Sequence, residues 1–71
     1  MIIKKYKTKI EKELKKKINF EKNFNQNGID SLDLITIAIL LEKELKIKIS
    51  EDKLSKIKNF NEFEKFINTL I

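Results

Sequence analysis

The chain has 71 residues, no cysteine and no histidine, and a formal net charge of +5 from 16 lysines and 11 acidic residues. Histidine is the usual base for a serine nucleophile, and cysteine and histidine are the soft ligands of zinc, so this composition argues against most catalytic sites and against a zinc centre. A chain of this length buries roughly 60% of its unfolded surface, so we expect a single domain over residues 1–71 without a deep active site. No disulfide framework and no long apolar span is present, and a cytoplasmic protein is expected.

The positive charge lies in the first part of the chain. Residues 1–30 carry nine lysines against four acidic residues, whereas residues 31–71 carry seven of each. Arginine, which makes the bidentate contacts typical of sequence-specific nucleic-acid binding, is absent. We therefore expect a solvated lysine-rich surface and no specific nucleic-acid partner. The alternative is electrostatic binding of the first helix to anionic lipid or nucleic acid.

Apolar residues at spacings of three and four predict a first helix over roughly residues 2–18, with one face toward the core. These residues are Ile3, Tyr6, Ile10, Leu14 and Ile18. The pattern stops at Asn19, where four asparagines and the single glycine favour turns over helix. Residues 19–28 are therefore predicted to form a loop that Phe20 and Phe24 pin to the core.

A second helix is predicted from about Ser31 to Leu45. Asp30 is suited to cap its start through the carboxylate, and Asp33 adds favourable negative charge to the first turn. One side of this helix carries the predicted core face, because its apolar residues cluster at about 100° per residue. The core-face residues are Leu34, Ile37, Ala38, Leu41 and Leu45.

Three further aliphatic residues of the second helix, Leu32, Ile35 and Ile39, lie more than about 90° from the core face. They are surplus to the predicted core, and clustered exposed aliphatic residues commonly mark a contact surface. We interpret them as a partner-docking patch or as the lip of a site for an apolar cargo. The alternative is that the loop or the third helix covers them.

The last part of the chain predicts two more helices. Residues 46–49 alternate like a strand, but they have no partner strand and are predicted to be an extended connector. A short third helix of about two turns is expected after Ser50. Asn59 and Glu62 form a capping-box-like pair before a fourth helix that ends near Leu70. The predicted fold is all-α, a four-helix bundle with a long first loop and a short third helix.

Ser31 is the candidate functional residue, because it places a hydroxyl at the start of the second helix, near the border of its two apolar stripes. The first turn of a helix offers unpaired N–H groups and a partial positive charge, which favour a phosphate ester on that hydroxyl. The alternative is that Ser31 is only a helix-start residue, a common role for serine.

The segment Gly28-Ile29-Asp30-Ser31-Leu32-Asp33 and the helix pattern around it resemble the acyl carrier protein family, in which a Gly-x-Asp-Ser-Leu-like motif opens the second of four helices. The similarity covers nearly the full chain. It implies that Ser31 carries 4′-phosphopantetheine, donated by coenzyme A and attached by a phosphopantetheinyl transferase. It also implies a carrier and not an enzyme, because the thiol of the arm holds acyl groups as thioesters while partner enzymes supply the catalysis.

By the same resemblance, the second helix is the docking surface for acyl synthases, ligases or transferases. The residues expected to form it are Asp30, Leu32, Asp33, Ile35, Ile39 and Glu42. Family members usually present an acidic second helix to basic patches, whereas here Thr36 and Lys43 depart from that pattern and the first helix is basic. We expect a monomer that serves fatty-acid, polyketide or a specialised acyl biosynthesis.

Two other functions fit the same residues. An aminoacyl or peptidyl carrier of a nonribosomal pathway has a similar short four-helix pattern. An unmodified helical interaction module would use Leu32, Ile35 and Ile39 to bind a partner helix or a second copy.

Overall fold

A computed structural model describes all 71 residues, and it confirms the all-α class. The elements in chain order are a 3₁₀ helix (Ile3–Tyr6), α1 (Lys7–Leu14), α2 (Ser31–Leu45), α3 (Glu51–Leu54) and α4 (Phe60–Asn68). The 3₁₀ helix runs directly into α1, so the two form the first helical segment of the fold. The longest helix, α2, has 15 residues, and no helix has the length and apolar character needed to cross a membrane.

The core contains 13 buried hydrophobic residues and draws on all four α-helices. α2 contributes the predicted face, with Leu45 half-buried at its end and four residues fully within the core. Those four are Leu34, Ile37, Ala38 and Leu41. α4 contributes Phe60, Phe63 and Ile67, which are completely buried. The apolar periodicity of the sequence therefore identified the main face on which α2 packs.

Two phenylalanines pin the first loop to α4, as predicted. The rings of Phe20 and Phe24 each meet the Phe60 ring edge to face, with centroids 4.8 Å apart in both pairs. Edge-to-face pairs add roughly 0.5–1.5 kcal/mol to the effect of burial alone. The Phe24 N–H also donates to the Lys58 carbonyl at 3.0 Å. The loop that leads to Ser31 is therefore packed against the start of α4.

The first helical segment ends at Leu14, and the prediction that it reaches Ile18 was wrong. Lys15 takes a left-handed conformation with φ of 56°, which is how many helices end. The Glu11 carbonyl accepts the N–H groups of both Lys15 and Lys16, and the Glu11 carboxylate accepts the Ile18 N–H at 2.8 Å. Ile18 is still buried, but in the loop and not on a helical face.

α3 is one helical turn, not the two turns predicted. After Leu54 the chain continues as a 3₁₀-type turn, in which the Ile57 N–H donates to the Leu54 carbonyl at 3.1 Å. The Ser55 hydroxyl donates to the Asp52 carbonyl at 2.7 Å, and such side-chain bonds compete with the α-helical pattern. Residues 46–49 form no strand, so the expected connector is confirmed.

One of the two hydrogen bonds of the predicted capping pair of α4 forms. The Asn59 side chain accepts the Glu62 N–H at 2.8 Å, as a capping residue does. The Glu62 carboxylate accepts the Lys58 N–H at 2.8 Å instead of that of Asn59. α4 ends at Asn68, close to the predicted end.

A buried glutamate of α4 caps the first helical segment. Glu64 is only 9% exposed, and its two carboxylate oxygens accept the N–H groups of Ile2 and Ile3, each at 3.0 Å. The first N–H groups of a helix have no partner within the helix, so the carboxylate provides the hydrogen-bond acceptors that a capping residue next to the helix would provide. The Asn68 side chain donates to the same carboxylate at 3.3 Å. This contact fixes the start of the first helical segment against α4.

Candidate functional site

Ser31 is the first residue of α2, and its side chain is exposed. Asp30 precedes it in an extended conformation and caps the helix, its carboxylate accepting the Asp33 N–H at 2.8 Å. The Asp33 carboxylate accepts the Asp30 N–H in return at 3.4 Å, which completes a capping box. Asp30 therefore performs the capping role that the alternative interpretation gave to Ser31.

The start of α2 offers three polar groups without a partner in the chain. The Ser31 hydroxyl makes no hydrogen bond, and the backbone N–H groups of Ser31 and Leu32 donate to no acceptor. Free N–H groups and the partial positive charge at a helix start favour an anion. These groups suit a phosphate linked to the Ser31 oxygen, so the residues present fit a phosphate-bearing prosthetic group.

An open hollow of about 490 Å³ adjoins Ser31, between the first loop, the start of α2 and the segment before α4. Phe24, Ile29, Leu34 and Ile57 form its apolar wall. Because the hollow opens to solvent, a group joined to Ser31 has an unobstructed path away from the protein.

Gly28 shapes the backbone that leads to Ser31. Its φ of 70° lies in the left-handed region, which side chains other than glycine adopt at a cost. A Cβ atom at this position would meet nothing within 4 Å, so the glycine serves the backbone conformation and not a close contact. The turn is closed by the Ile29 N–H, which donates to the Phe24 carbonyl at 2.9 Å.

Lys16 holds this turn and the first turn of α2 together. Its ammonium donates to the Gly28 carbonyl at 2.6 Å and forms an ion pair with the Asp33 carboxylate. The hydrogen bond from Lys16 is the main cause that lowers the pKa of Asp33; partial burial opposes it, and bonds with Asp30 reinforce it. Nothing local in the sequence separates Lys16 from Lys15 and Lys17, so this role is not visible in the sequence alone.

The apolar residues predicted for docking differ in their surroundings. Leu32 is 72% exposed and Ile39 is 60% exposed, and both belong to α2. Ile35 is half-buried and packs against the core, so the prediction that it is surplus to the core was wrong. Leu32 and Ile39 are therefore the exposed large aliphatic side chains of α2.

The carboxylates of α2 and of its cap all have partners within the chain. Asp30 and Asp33 form the capping box. Glu42 accepts a backbone N–H of the connector after α2 at 2.7 Å. Glu44 pairs with Lys9 of α1, and this contact raises the pKa of Lys9. The docking roles predicted for Asp30, Asp33 and Glu42 remain predictions, and these side chains already have structural roles.

Comparison with known proteins points to the same kind of prosthetic group. The family model described as "Phosphopantetheine attachment site" matches residues 7–67. The chain is 42% identical over 55 residues to a protein of Mycoplasmopsis pulmonis named acyl carrier protein homolog, a match that covers 78% of this chain and 75% of that protein. No solved structure matches the chain significantly.

The helical fold and the family match define a small carrier domain that bears a prosthetic group. The chain belongs to the acyl carrier protein family. Its cofactor is covalently bound 4′-phosphopantetheine, and its role is that of a carrier.

Proposed function

We propose that Ser31 is the residue to which 4′-phosphopantetheine is attached. We further propose that the chain carries acyl groups on the thiol of that arm, for fatty-acid, polyketide or a specialised acyl biosynthesis. The observation that carries the proposal is that the Ser31 hydroxyl is exposed and makes no hydrogen bond. Asp30 caps the helix, so the hydroxyl has no capping role. The two free N–H groups beside it favour the negative charge of a phosphodiester.

The other serine and threonine hydroxyl groups of the chain lack this combination. Thr36, Ser55 and Thr69 each donate to a backbone carbonyl. Thr8 is the second residue of α1, but the 3₁₀ helix runs directly into α1, so Thr8 lies inside the first helical segment and not at its start. Ser50 precedes α3, which has only four residues and no comparable row of aligned peptide groups. Ser50 is nevertheless an exposed serine next to a helix start, which makes it the matched control for Ser31.

In the attachment reaction, this chain supplies the attacking oxygen and the partner enzyme supplies the base. The Ser31 oxygen forms a bond to the coenzyme A phosphorus that bears the pantetheine arm, and it gives up its proton. The P–O bond that joins this phosphorus to the rest of the pyrophosphate breaks, and 3′,5′-ADP leaves. The chain has no histidine to accept that proton, which supports a transferase as the source of the base. We accordingly propose that the chain is not an enzyme and that it works with a phosphopantetheinyl transferase and with acyl synthases, ligases or transferases in the cytoplasm.

Intact-mass analysis after incubation with coenzyme A and a broad-specificity phosphopantetheinyl transferase tests the proposal. We expect the wild type to gain the mass of one phosphopantetheine and Ser31→Ala to gain none. Ser50→Ala is expected to gain the same mass as the wild type. An unmodified wild type, or equal modification of Ser31→Ala, would overturn the assignment of this residue.

A further inference from the structure

The charges of the chain are unevenly distributed between its two parts. Residues 1–24, which form the first helical segment and the first part of the loop after it, carry nine lysines and three glutamates. Residues 25–71 carry seven lysines and eight acidic residues. The eight include Asp30 and Glu42, whose hydrogen bonds to backbone N–H groups leave their charge uncompensated. The excess positive charge therefore lies in the first helical segment and its loop, with every carboxylate of α2 counted at full charge.

The first helical segment presents a face of free lysines to solvent. Between residues 1 and 15, five exposed lysines form no ion pair. Lys12 lies about 160° around the helix axis from the buried Ile10, so this side of α1 points away from the core. Beside the loop, the Lys7 ammonium lies 5.9 Å from the centre of the Phe20 ring. We call the five residues the lysine face: Lys4, Lys5, Lys7, Lys12 and Lys15.

The carboxylates around the lysine face are too few to neutralise it. Glu11 is half-buried and accepts the Ile18 N–H. Glu13 and Glu21 are exposed and form no ion pair, the first beside the groove between α1 and α2 and the second beside Phe20. Two carboxylates of α2 are paired with lysines outside the face, in the pairs Lys9–Glu44 and Lys16–Asp33. The lysine face therefore keeps a net positive charge.

We propose that the lysine face binds the surface of an anionic lipid bilayer. The contact is electrostatic, because α1 has no exposed large aliphatic side chain that could enter the bilayer. Near an anionic bilayer each lysine raises the affinity roughly fivefold, so five lysines give a partition constant on the order of 10³ M⁻¹. Such binding is reversible and depends on salt, unlike a lipid anchor or a spanning helix.

The chemistry of the lysine face favours lipid over nucleic acid. Arginine, whose planar side chain suits phosphate and base contacts, is absent from the chain. Proteins that bind single strands stack bases on exposed aromatic side chains. The aromatic residues of this region, Tyr6 and Phe20, are half-buried, and the Phe20 ring packs against Phe60. A bilayer surface requires only positive charge, which the lysine face supplies.

Binding through the lysine face leaves the attachment site open. The hollow beside Ser31 is lined by the first loop, the start of α2 and the segment before α4, and by no residue of α1. Lys15 precedes Lys16, whose ammonium contacts Gly28 and Asp33, so the lysine face reaches the end of the molecule that holds Ser31. A bound carrier would thus present an apolar acyl cargo next to lipid. This consequence rests on the proposed attachment at Ser31, whereas the lipid binding itself does not.

Co-sedimentation of the full chain with vesicles tests the proposal. We expect binding to vesicles of equimolar phosphatidylcholine and phosphatidylglycerol at about 0.01 M salt, release at about 1 M salt, and no binding to phosphatidylcholine alone. Lys5→Gln and Lys12→Gln should each lower the partition constant roughly fivefold. The variant with glutamine at positions 5, 12 and 15 should lose roughly a hundredfold.

Two further variants separate the lysine face from the net charge of the chain. Lys53→Gln removes the same charge from α3, where Glu51 and Asp52 adjoin it, and should leave the partition constant unchanged. Glu13→Gln removes a negative charge beside the lysine face and should raise the partition constant severalfold. Circular dichroism of each variant reports whether the helix content is kept.

The proposal has clear contrary outcomes. No binding to the anionic vesicles at low salt, or equal binding to phosphatidylcholine alone, would overturn it. Equal losses for Lys53→Gln and Lys12→Gln would show that net charge and not the lysine face drives binding. An RNA oligonucleotide that binds more tightly than the vesicles, and through Lys12, would assign the face to nucleic acid. None of these outcomes changes the mass that phosphopantetheine adds at Ser31, and a chain that is never loaded can still bind vesicles, so the two proposals fail separately.

Discussion

Glu64→Ala is expected to lower the free energy of unfolding by about 3 kcal/mol. The Glu64 carboxylate accepts the N–H groups of Ile2 and Ile3, each at 3.0 Å. A hydrogen bond to a charged group contributes roughly 1.5–3 kcal/mol. The lower end for both bonds gives about 3 kcal/mol as a minimum. It suits the bond to Ile2, which is only half-buried, so that water can replace its partner. Ile3 is completely buried, so water does not readily reach its orphaned N–H.

Thermal unfolding followed by circular dichroism measures this effect. For a domain of this size each kcal/mol corresponds to roughly 4–8 °C in Tm, so Glu64→Ala is expected to lose at least about 12 °C. Glu64→Gln keeps one oxygen acceptor and is expected to lose about half as much. Glu13→Ala removes an exposed glutamate without hydrogen bonds and should stay within about 0.5 kcal/mol of the wild type.

A loss for Glu64→Ala no larger than that for Glu13→Ala would refute this reasoning. It would mean that the carboxylate of α4 does not hold the first helical segment in place. The position of α1 beside α2 would then need another cause.

Three further predictions concern the segment around Ser31. In Lys16→Met the pKa of Asp33 should rise toward its ordinary value, as NMR titration would detect, because the hydrogen bond from Lys16 is the main cause that lowers it. A lowered carboxyl pKa contributes stability above the pKa of the unfolded chain and loses it as the pH falls through the folded value, so wild type and Lys16→Met should differ in stability at neutral pH and converge in acid. Asp30→Ala removes the helix cap and should cost about 1 kcal/mol in urea unfolding. Gly28→Ala should cost roughly 1–2 kcal/mol from its positive φ alone, since its Cβ meets no neighbour.

Each of these predictions has an outcome that contradicts it. An Asp33 titration that is the same in wild type and Lys16→Met would show that the ion pair does not form in solution. Unchanged urea unfolding of Asp30→Ala would exclude its capping role. A loss far above about 2 kcal/mol for Gly28→Ala would indicate a steric contact that the open surroundings of Gly28 do not explain.

The sequence predicted those features that depend on neighbouring residues. The core face of α2 follows from helical periodicity, so Leu34 and Leu41 could be assigned to the core without the structure. The start of the same helix follows from the capping preference of Asp30, which placed Ser31 at its first turn. The early end of α1 could not be predicted, because the left-handed residue there is a lysine and not the glycine or asparagine that usually marks such an end.

Local sequence patterns could not predict the contacts between distant parts of the chain. Lys16 and Asp33 are 17 residues apart, and Glu64 and Ile3 are 61 residues apart. Their pairing depends on how the helices pack, and one lysine in a run of three carries no sign of its partner. The half-burial of Ile35 has the same origin, because helical spacing alone placed it away from the core face.

Tandem mass spectrometry of the protein isolated from its own cells tests the attachment of the prosthetic group most directly. We expect the phosphopantetheine on the Ser31 oxygen, within the peptide that contains Gly28-Ile29-Asp30-Ser31, and an unmodified Ser50. A protein that carries acyl groups while the Ser31 hydroxyl is bare, or that bears the group on another residue, would contradict the proposed function.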